Sequence, residues 1–150
     1  VRDGVADIPQ PSTNYRLSDI QCAIGIPQMR RLPELLAMRR RIAAGYEERL
    51  AGLAAEGRVL LPAAAEGDEH GFQAYVIQLD RRDEALTTLR AEGIEVQIGT
   101  YAVNQLSAYR HQGSRPGAEL VARRALALPL HSHLSDADLD AVVAGVARFA

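Results

Sequence analysis

The sequence predicts an α/β chain that begins with a long helix and ends in a small mixed or antiparallel sheet backed by helices. Three observations carry this. Met29, Leu32, Leu36, Ala43, Tyr46, Leu50 and Leu53 recur mostly three or four apart, the spacing of one helix face. Short apolar runs at 58–61, 72–79, 94–98 and 125–130 alternate with turn-rich or helical stretches. The regular strand–helix rhythm of a full doubly wound domain is missing.

Element by element, proline-rich residues 9–13 read as an extended connector, because each proline biases its predecessor away from the helical region. Ser18 with Gln21 forms a capping-box signature that opens a helix, leaving residues 14–17 at its mouth. Ile20, Cys22 and Ile24 give that helix an apolar side before Gly25 and Pro27 interrupt or bend it. The long amphipathic helix follows, broken at most near Pro33, and Gly57 stops it. An apolar stripe of this length should cover a sheet or another helix. Residues 58–61 form a short strand and 72–79 a stronger one. Residues 80–92 are helical with Leu86 and Leu89 inward, and Gly93 is their stop. Residues 94–98 make a further strand, and a long polar loop starts at Gly99-Thr100. A short helix over 117–124, the apolar run 125–130 and a last helix opened by Ser135, with Leu139, Val142, Val143 and Val146 inward, complete the order.

A chain of 150 residues with 47% hydrophobic content is long enough to remove about two thirds of its unfolded surface from water, so one domain or subdomain is expected. The formal charge is −2, with 17 basic residues spread among 19 acidic ones. No basic stripe exists to hold nucleic acid. Arg39-Arg40-Arg41 is the densest cluster, and Glu34, Glu47 and Glu48 are its expected ion-pair partners on a solvated helix. Cys22 is the single cysteine, which rules out an intrachain disulfide, and its apolar helical setting predicts burial rather than reactivity. No run of 18 apolar residues offers a membrane span and no signal-peptide pattern opens the chain, so a soluble, cytoplasmic protein is expected. Val1-Arg2-Asp3 lacks an initiating methionine, and the chain is expected to begin inside a larger or processed protein.

The run Asn14-Tyr15-Arg16-Leu17-Ser18-Asp19-Ile20-Gln21-Cys22-Ala23-Ile24-Gly25, continued by Gln28 and Leu32, resembles the DegT/DnrJ/EryC1/StrS family of sugar aminotransferases. Further similarity lies in His70-Gly71-Phe72-Gln73-Ala74-Tyr75-Val76-Ile77, in Gly93-Ile94 with Gly99-Thr100-Tyr101, and in Leu128-Pro129-Leu130-His131 before Leu134-Ser135. The resemblance runs from about residue 11 to residue 149. It implies the C-terminal small domain of a fold-type-I, pyridoxal-phosphate-dependent transferase. Residues 1–16 would be a connector and active-site loop, and residues 17–150 the small domain with its long linking helix. The complete enzyme would be a homodimer whose N-terminal cofactor domain is missing here. It would move an amino group, usually from glutamate, to a nucleotide-linked keto-sugar.

Site roles follow from the same resemblance. Asn14 matches an asparagine that reaches across the dimer toward the cofactor phosphate; spacing alone would read it as a turn or cap residue. Arg16 would clamp the nucleotide diphosphate, since a guanidinium presents two aligned donors where lysine presents a point charge. In the loop over 97–105, Tyr101 can stack on a sugar or base edge, and Asn104 and Gln105 can hydrogen-bond hydroxyl groups. Relatives often carry histidine where this chain has Asn104. His70 reads as a polar turn residue, Tyr75 as a packed strand residue, and His131 with His133 has no ligand cluster beside it, so no metal site is expected.

No catalytic residue is expected. Transamination needs an amine that forms an imine with the cofactor, and all 17 basic residues besides histidine are arginines. Two other readings stay open: part of a sugar dehydratase using the same cofactor without that lysine, and a non-catalytic binding or dimerisation remnant. A part of an enzyme should expose apolar surface along its first helical segment, where a missing domain or subunit would cover it.

Overall fold

The computed structural model describes residues 15–109, 111 and 113–150. They belong to two compact units, Val1–Pro33 and Glu34–Ala150. Helix α1 (Asp19–Ala55) contributes its first turns to the former and the rest to the latter.

In the first unit the Ser18 backbone N–H donates to Gln21 Oε1 at 2.8 Å, and the Gln21 N–H donates to Ser18 Oγ at 3.3 Å. This is the reciprocal cap the sequence predicted, with Asp19 in the first turn where the helix dipole favours negative charge. The expected interruption at Gly25 and Pro27 does not occur, nor does one at Pro33, because α1 is continuous through both prolines. A proline forfeits its own N–H bond and crowds the carbonyl four residues back. Those carbonyls belong to Ala23 and Met29, both exposed, so water can satisfy what the helix cannot. Cys22 is also exposed, against the expectation of burial. Its apolar neighbours Ile20 and Ile24 are exposed with it, so an apolar sequence context gave it no cover.

The second unit holds the core. From α1 it receives Ile42, Ala43, Tyr46 and Leu50, at most 1% exposed. These residues follow the spacing read from sequence, whereas the earlier stripe positions Met29 and Leu32 stay exposed. Gly57 adopts φ +71° just past the helix end. That left-handed geometry lets the Gly57 and Arg58 N–H groups reach the carbonyls of Ala54 and Leu53, both at 3.0 Å.

Strands β1 (Tyr75–Gln78), β2 (Gln97–Ile98) and β3 (Ala125–Leu128) form an antiparallel sheet in the order β1-β3-β2. Helix α2 (Arg82–Ala91) connects β1 to β2 and leaves a gap that β3 fills, pairing Ile77 with Leu126 on one side and Ile98 with Leu126 on the other. Helices α3 (Pro116–Arg124) and α4 (Asp136–Ala147) flank β3 in sequence. Gly99 ends β2 against the sheet: a Cβ there would lie 2.5 Å from Val76 Cγ1 and 2.9 Å from Ala125 Cβ, so no side chain fits without moving the sheet.

The strands are shorter than expected, for local reasons. Residues 58–61 make only an isolated bridge from Leu60 to Gln78, and Pro62 brings no donor to extend it. Ahead of β1, Phe72 sits at φ +44° and its N–H donates to His70 Nδ1 at 2.9 Å. A side chain thus takes the donor a ladder would need. Ahead of β2, the Val96 N–H turns back to the Ile94 carbonyl at 2.9 Å. The strand read over 94–98 is therefore confined to Gln97–Ile98, and the loop begins at Gly99 as expected.

Ser135 caps α4 as predicted, with Asp138 as its reciprocal partner. The charge pairs differ from those expected. Arg40 bonds Glu69 rather than Glu34, Glu47 or Glu48, because the segment leading into β1 passes beside the helix. Arg49 donates to Asp140 at 2.6 Å and Asp136 at 3.1 Å.

Hydrogen-bonded carboxylates elsewhere on the surface are expected to make the fold acid-sensitive. Asp138 is held below its ordinary range by the Ser135 hydroxyl and N–H, Glu92 by the Arg148 guanidinium and Glu84 by that of Arg81. A carboxylate depressed in the folded state adds stability that is complete above its unfolded pKa of about 4 and is lost as pH falls through the folded value. Urea midpoints should be flat from neutral pH to about 5 and drop below about 4. Glu92→Gln should lower the neutral midpoint and shrink that drop; an unchanged profile would show that the Arg148 pair carries none of it.

Candidate functional site

The loop after β2 supplies the clearest concave surface near the predicted residues. Tyr101, 64% exposed, and Gln105 at the end of a 3-10 turn (Val103–Gln105) line a shallow cleft with Thr100, Arg82 and Arg123. Arg82 is only 7% exposed. Its Nη1 donates to the Ala125 carbonyl at 3.0 Å and its Nε to Asp83 at 2.7 Å, so its charge is fixed at the cleft wall where α2 meets β3. Two guanidinium groups beside an aromatic ring suit an anionic, ring-bearing ligand.

Asn104 does not share this cleft. Its Nδ2 donates to Glu119 Oε1 at 2.7 Å and to the Gly113 carbonyl at 3.1 Å, which occupies both amide hydrogens. The predicted trio therefore divides: Tyr101 and Gln105 face one cleft, and Asn104 ties the loop to α3. Arg82, Arg123 and Glu119 were not singled out from sequence. Each lies on a helix among ordinary charged residues, and only the fold brings them to this loop.

Asn14 lies outside the described residues. Arg16 is exposed just ahead of α1. Within the first unit, Tyr15, Leu17, Ile20, Ile24, Ile26 and Met29 are each more than half exposed. Leu17, Cys22, Ile26 and Met29 line an open groove there. This is the apolar surface expected of part of an enzyme.

The remaining aromatic and imidazole groups have structural places. Tyr75 is fully buried, its ring 5.0 Å from that of Tyr46, and burial raises both phenols above their ordinary range. His70 closes the turn before β1. The rings of His131 and His133 are 6.3 Å apart, and among the described residues no group of three or more His, Cys, Asp or Glu is arranged to hold a metal ion.

These features sit on a fold already described in a known class. The DegT/DnrJ/EryC1/StrS aminotransferase family matches residues 4–147, and the chain belongs to that family. GDP-perosamine synthase of Caulobacter vibrioides is 35% identical over 140 residues, covering 89% of this chain and 37% of the relative. The dTDP-3-amino-3,4,6-trideoxy-alpha-D-glucose transaminase of Micromonospora megalomicea subsp. nigra is 31% identical over 143 residues, covering 91% and 38%. The crystal structure of DesV of S. venezuelae in complex with a ketimine intermediate superposes with a TM-score of 0.80 at 28% identity, covering 93% of this chain and 38% of that one. The chain thus spans less than two fifths of the length of these relatives.

The pyridoxal phosphate implied by the resemblance does not fit this chain's residues as a complete site. An imine to the cofactor needs a primary amine on a positioned side chain, and no lysine occurs in the sequence. The arginines cannot replace it, since their delocalised cation stays protonated. What the described residues offer at the cleft is two guanidinium groups with neighbouring hydroxyl, phenol and amide side chains.

Proposed function

We propose that the chain is the C-terminal small domain of a nucleotide-sugar aminotransferase and supplies substrate contacts, not the reacting amine. The carrying observation is family membership over 4–147 in a sequence without lysine. In this reading residues 1–16 are the connector and active-site loop, and residues 17–150 the small domain. Asn14 binds the cofactor phosphate of a partner subunit. Arg16 binds the nucleotide diphosphate, Tyr101 stacks on the sugar or base, and Gln105 hydrogen-bonds hydroxyl groups. Asn104 acts on the substrate only through the loop it holds. The exposed apolar face of α1 is covered by a lysine-bearing cofactor domain, a second subunit or both. The cofactor is pyridoxal phosphate, the amino donor glutamate, and the acceptor a keto-sugar linked to a nucleoside diphosphate. No helix among the described residues is long and apolar enough to cross a membrane, consistent with an enzyme of soluble substrates.

The test is amino transfer from glutamate to GDP- and dTDP-linked 4-keto-sugars, read by mass spectrometry of the sugar nucleotide. The chain alone, with added pyridoxal phosphate, should give none, and borohydride should fix no cofactor to a side chain. Adding a lysine-bearing cofactor domain from a family member should yield the amino-sugar, and Arg16→Lys should then raise KM by about tenfold or more, because the two-pronged diphosphate contact is lost. Transfer by the chain alone would overturn the proposal.

A further inference from the structure

Glu119 collects three donors from two places in the chain on a single oxygen. Its Oε1 accepts from Asn104 Nδ2 at 2.7 Å, from the Arg115 backbone N–H at 2.8 Å and from Ser114 Oγ at 3.0 Å. These donors come from the 3-10 turn and from the adjacent Ser114 and Arg115 at the N-terminal flank of α3. The Glu119 N–H itself donates to the Arg115 carbonyl at 2.9 Å, which places the carboxylate in the first turn of α3, where a negative charge is favoured. These hydrogen bonds, the Arg115 N–H first among them, hold its carboxyl below the ordinary range.

Asn104 is fixed just as firmly. Exchanging its amide oxygen and nitrogen would point an oxygen at both a carboxylate and a carbonyl, so its partners admit one orientation. In that orientation Asn104 Oδ1 is buried with no hydrogen-bond partner among the described residues. An unpaired buried acceptor is a cost, accepted here to keep both donors aimed at Glu119 and Gly113. The loop's other backbone bonds are local: Gln105 to Ala102, Leu106 to Val103 and Tyr109 to Leu106. They shape the turn without attaching it to a helix.

We propose that Glu119 is a positioning residue whose carboxylate latches the 3-10 turn, through Asn104, onto the start of α3 and so holds Tyr101 and Gln105 at the substrate cleft. This rests on the reading of Tyr101 and Gln105 as sugar-nucleotide contacts. Without the latch the turn keeps its local bonds but moves as a unit, so substrate is bound less well and the chemical step is little altered.

Hydrogen exchange of the 150-residue chain tests the latch without any ligand. Glu119→Ala and Asn104→Ala should each speed exchange in peptides over 100–109 by about tenfold, leave α4 and β1 peptides unchanged, and combine without adding, as two halves of one interaction do. Glu119→Gln, whose amide oxygen still accepts, should retain part of the protection. In the enzyme completed with a lysine-bearing cofactor domain, Glu119→Ala should raise KM for the nucleotide-sugar by about tenfold with kcat within about twofold. Unchanged loop exchange in both alanine variants, or faster exchange spread equally over α4 and β1, would overturn the latch. Tyr101→Ala separates the two ideas: unchanged KM in that variant defeats the substrate reading, whereas a raised KM there with no effect of Glu119→Ala defeats only the latch.

Discussion

Replacing Tyr46 with alanine is expected to remove about 3–5 kcal/mol of folding stability, as for other large aromatic residues deleted from a core. Tyr46 has no exposed surface, packs against the Tyr75 ring and donates its hydroxyl to the Pro129 carbonyl at 2.9 Å. It therefore joins α1 both to β1 and to the segment that follows β3. Against a typical domain stability of about 5–15 kcal/mol, the loss should appear as a large fall in the urea midpoint with an unchanged slope.

Two phenylalanine variants sharpen that expectation. Tyr46→Phe keeps the ring but orphans the Pro129 carbonyl, and should cost about 1–2 kcal/mol. Tyr75→Phe should be neutral or stabilising, because the Tyr75 hydroxyl is buried with no hydrogen-bond partner among the described residues and its removal recovers a desolvation cost. Equal losses from both would mean that the two hydroxyls are equivalent, contrary to the geometry.

The family and the order of elements were legible because they reside in local signals. Ser18 with Gln21, Gly57 and Ser135 each act within four residues, and the spacing of Ala43, Tyr46 and Leu50 marks a helix face wherever it packs. Strand lengths were not legible. His70 intercepts the Phe72 N–H and Val96 turns back on Ile94, and neither diversion is visible in apolar patterning. The prolines misled for a related reason: their cost depends on whether the orphaned carbonyl meets water, which is a property of the fold. The candidate site was half legible. The sequence singled out the aromatic and polar residues of the loop, but the division between Tyr101 and Gln105 on one side and Asn104 on the other depends on where α3 places Glu119. Cys22 shows the limit of reading burial from apolar neighbours, since those neighbours belong to a surface rather than a core.

That surface leads to the other large effect. Ile20, Ile24 and Met29 are 75%, 64% and 67% exposed, and the described core residues lie within Glu34–Ala150. Changing all three to glutamine should leave the urea transition of that core within about 0.5 kcal/mol, as for surface changes elsewhere. Helix formation in α1 should not suffer, because glutamine is at least as good a helix former as isoleucine. If the face is covered in the completed enzyme, full burial of each side chain contributes about 1.5–3 kcal/mol. Even with part of that offset, the triple variant should bind a lysine-bearing cofactor domain at least about 100-fold more weakly, a difference of about 2.7 kcal/mol. Sedimentation equilibrium of the mixed components reads the association and amino transfer reads its consequence. Undiminished association would place the docking surface elsewhere and leave the exposed face unexplained, whereas weaker association with the core transition unchanged would separate the residues that fold this domain from those that join it to the rest of an aminotransferase.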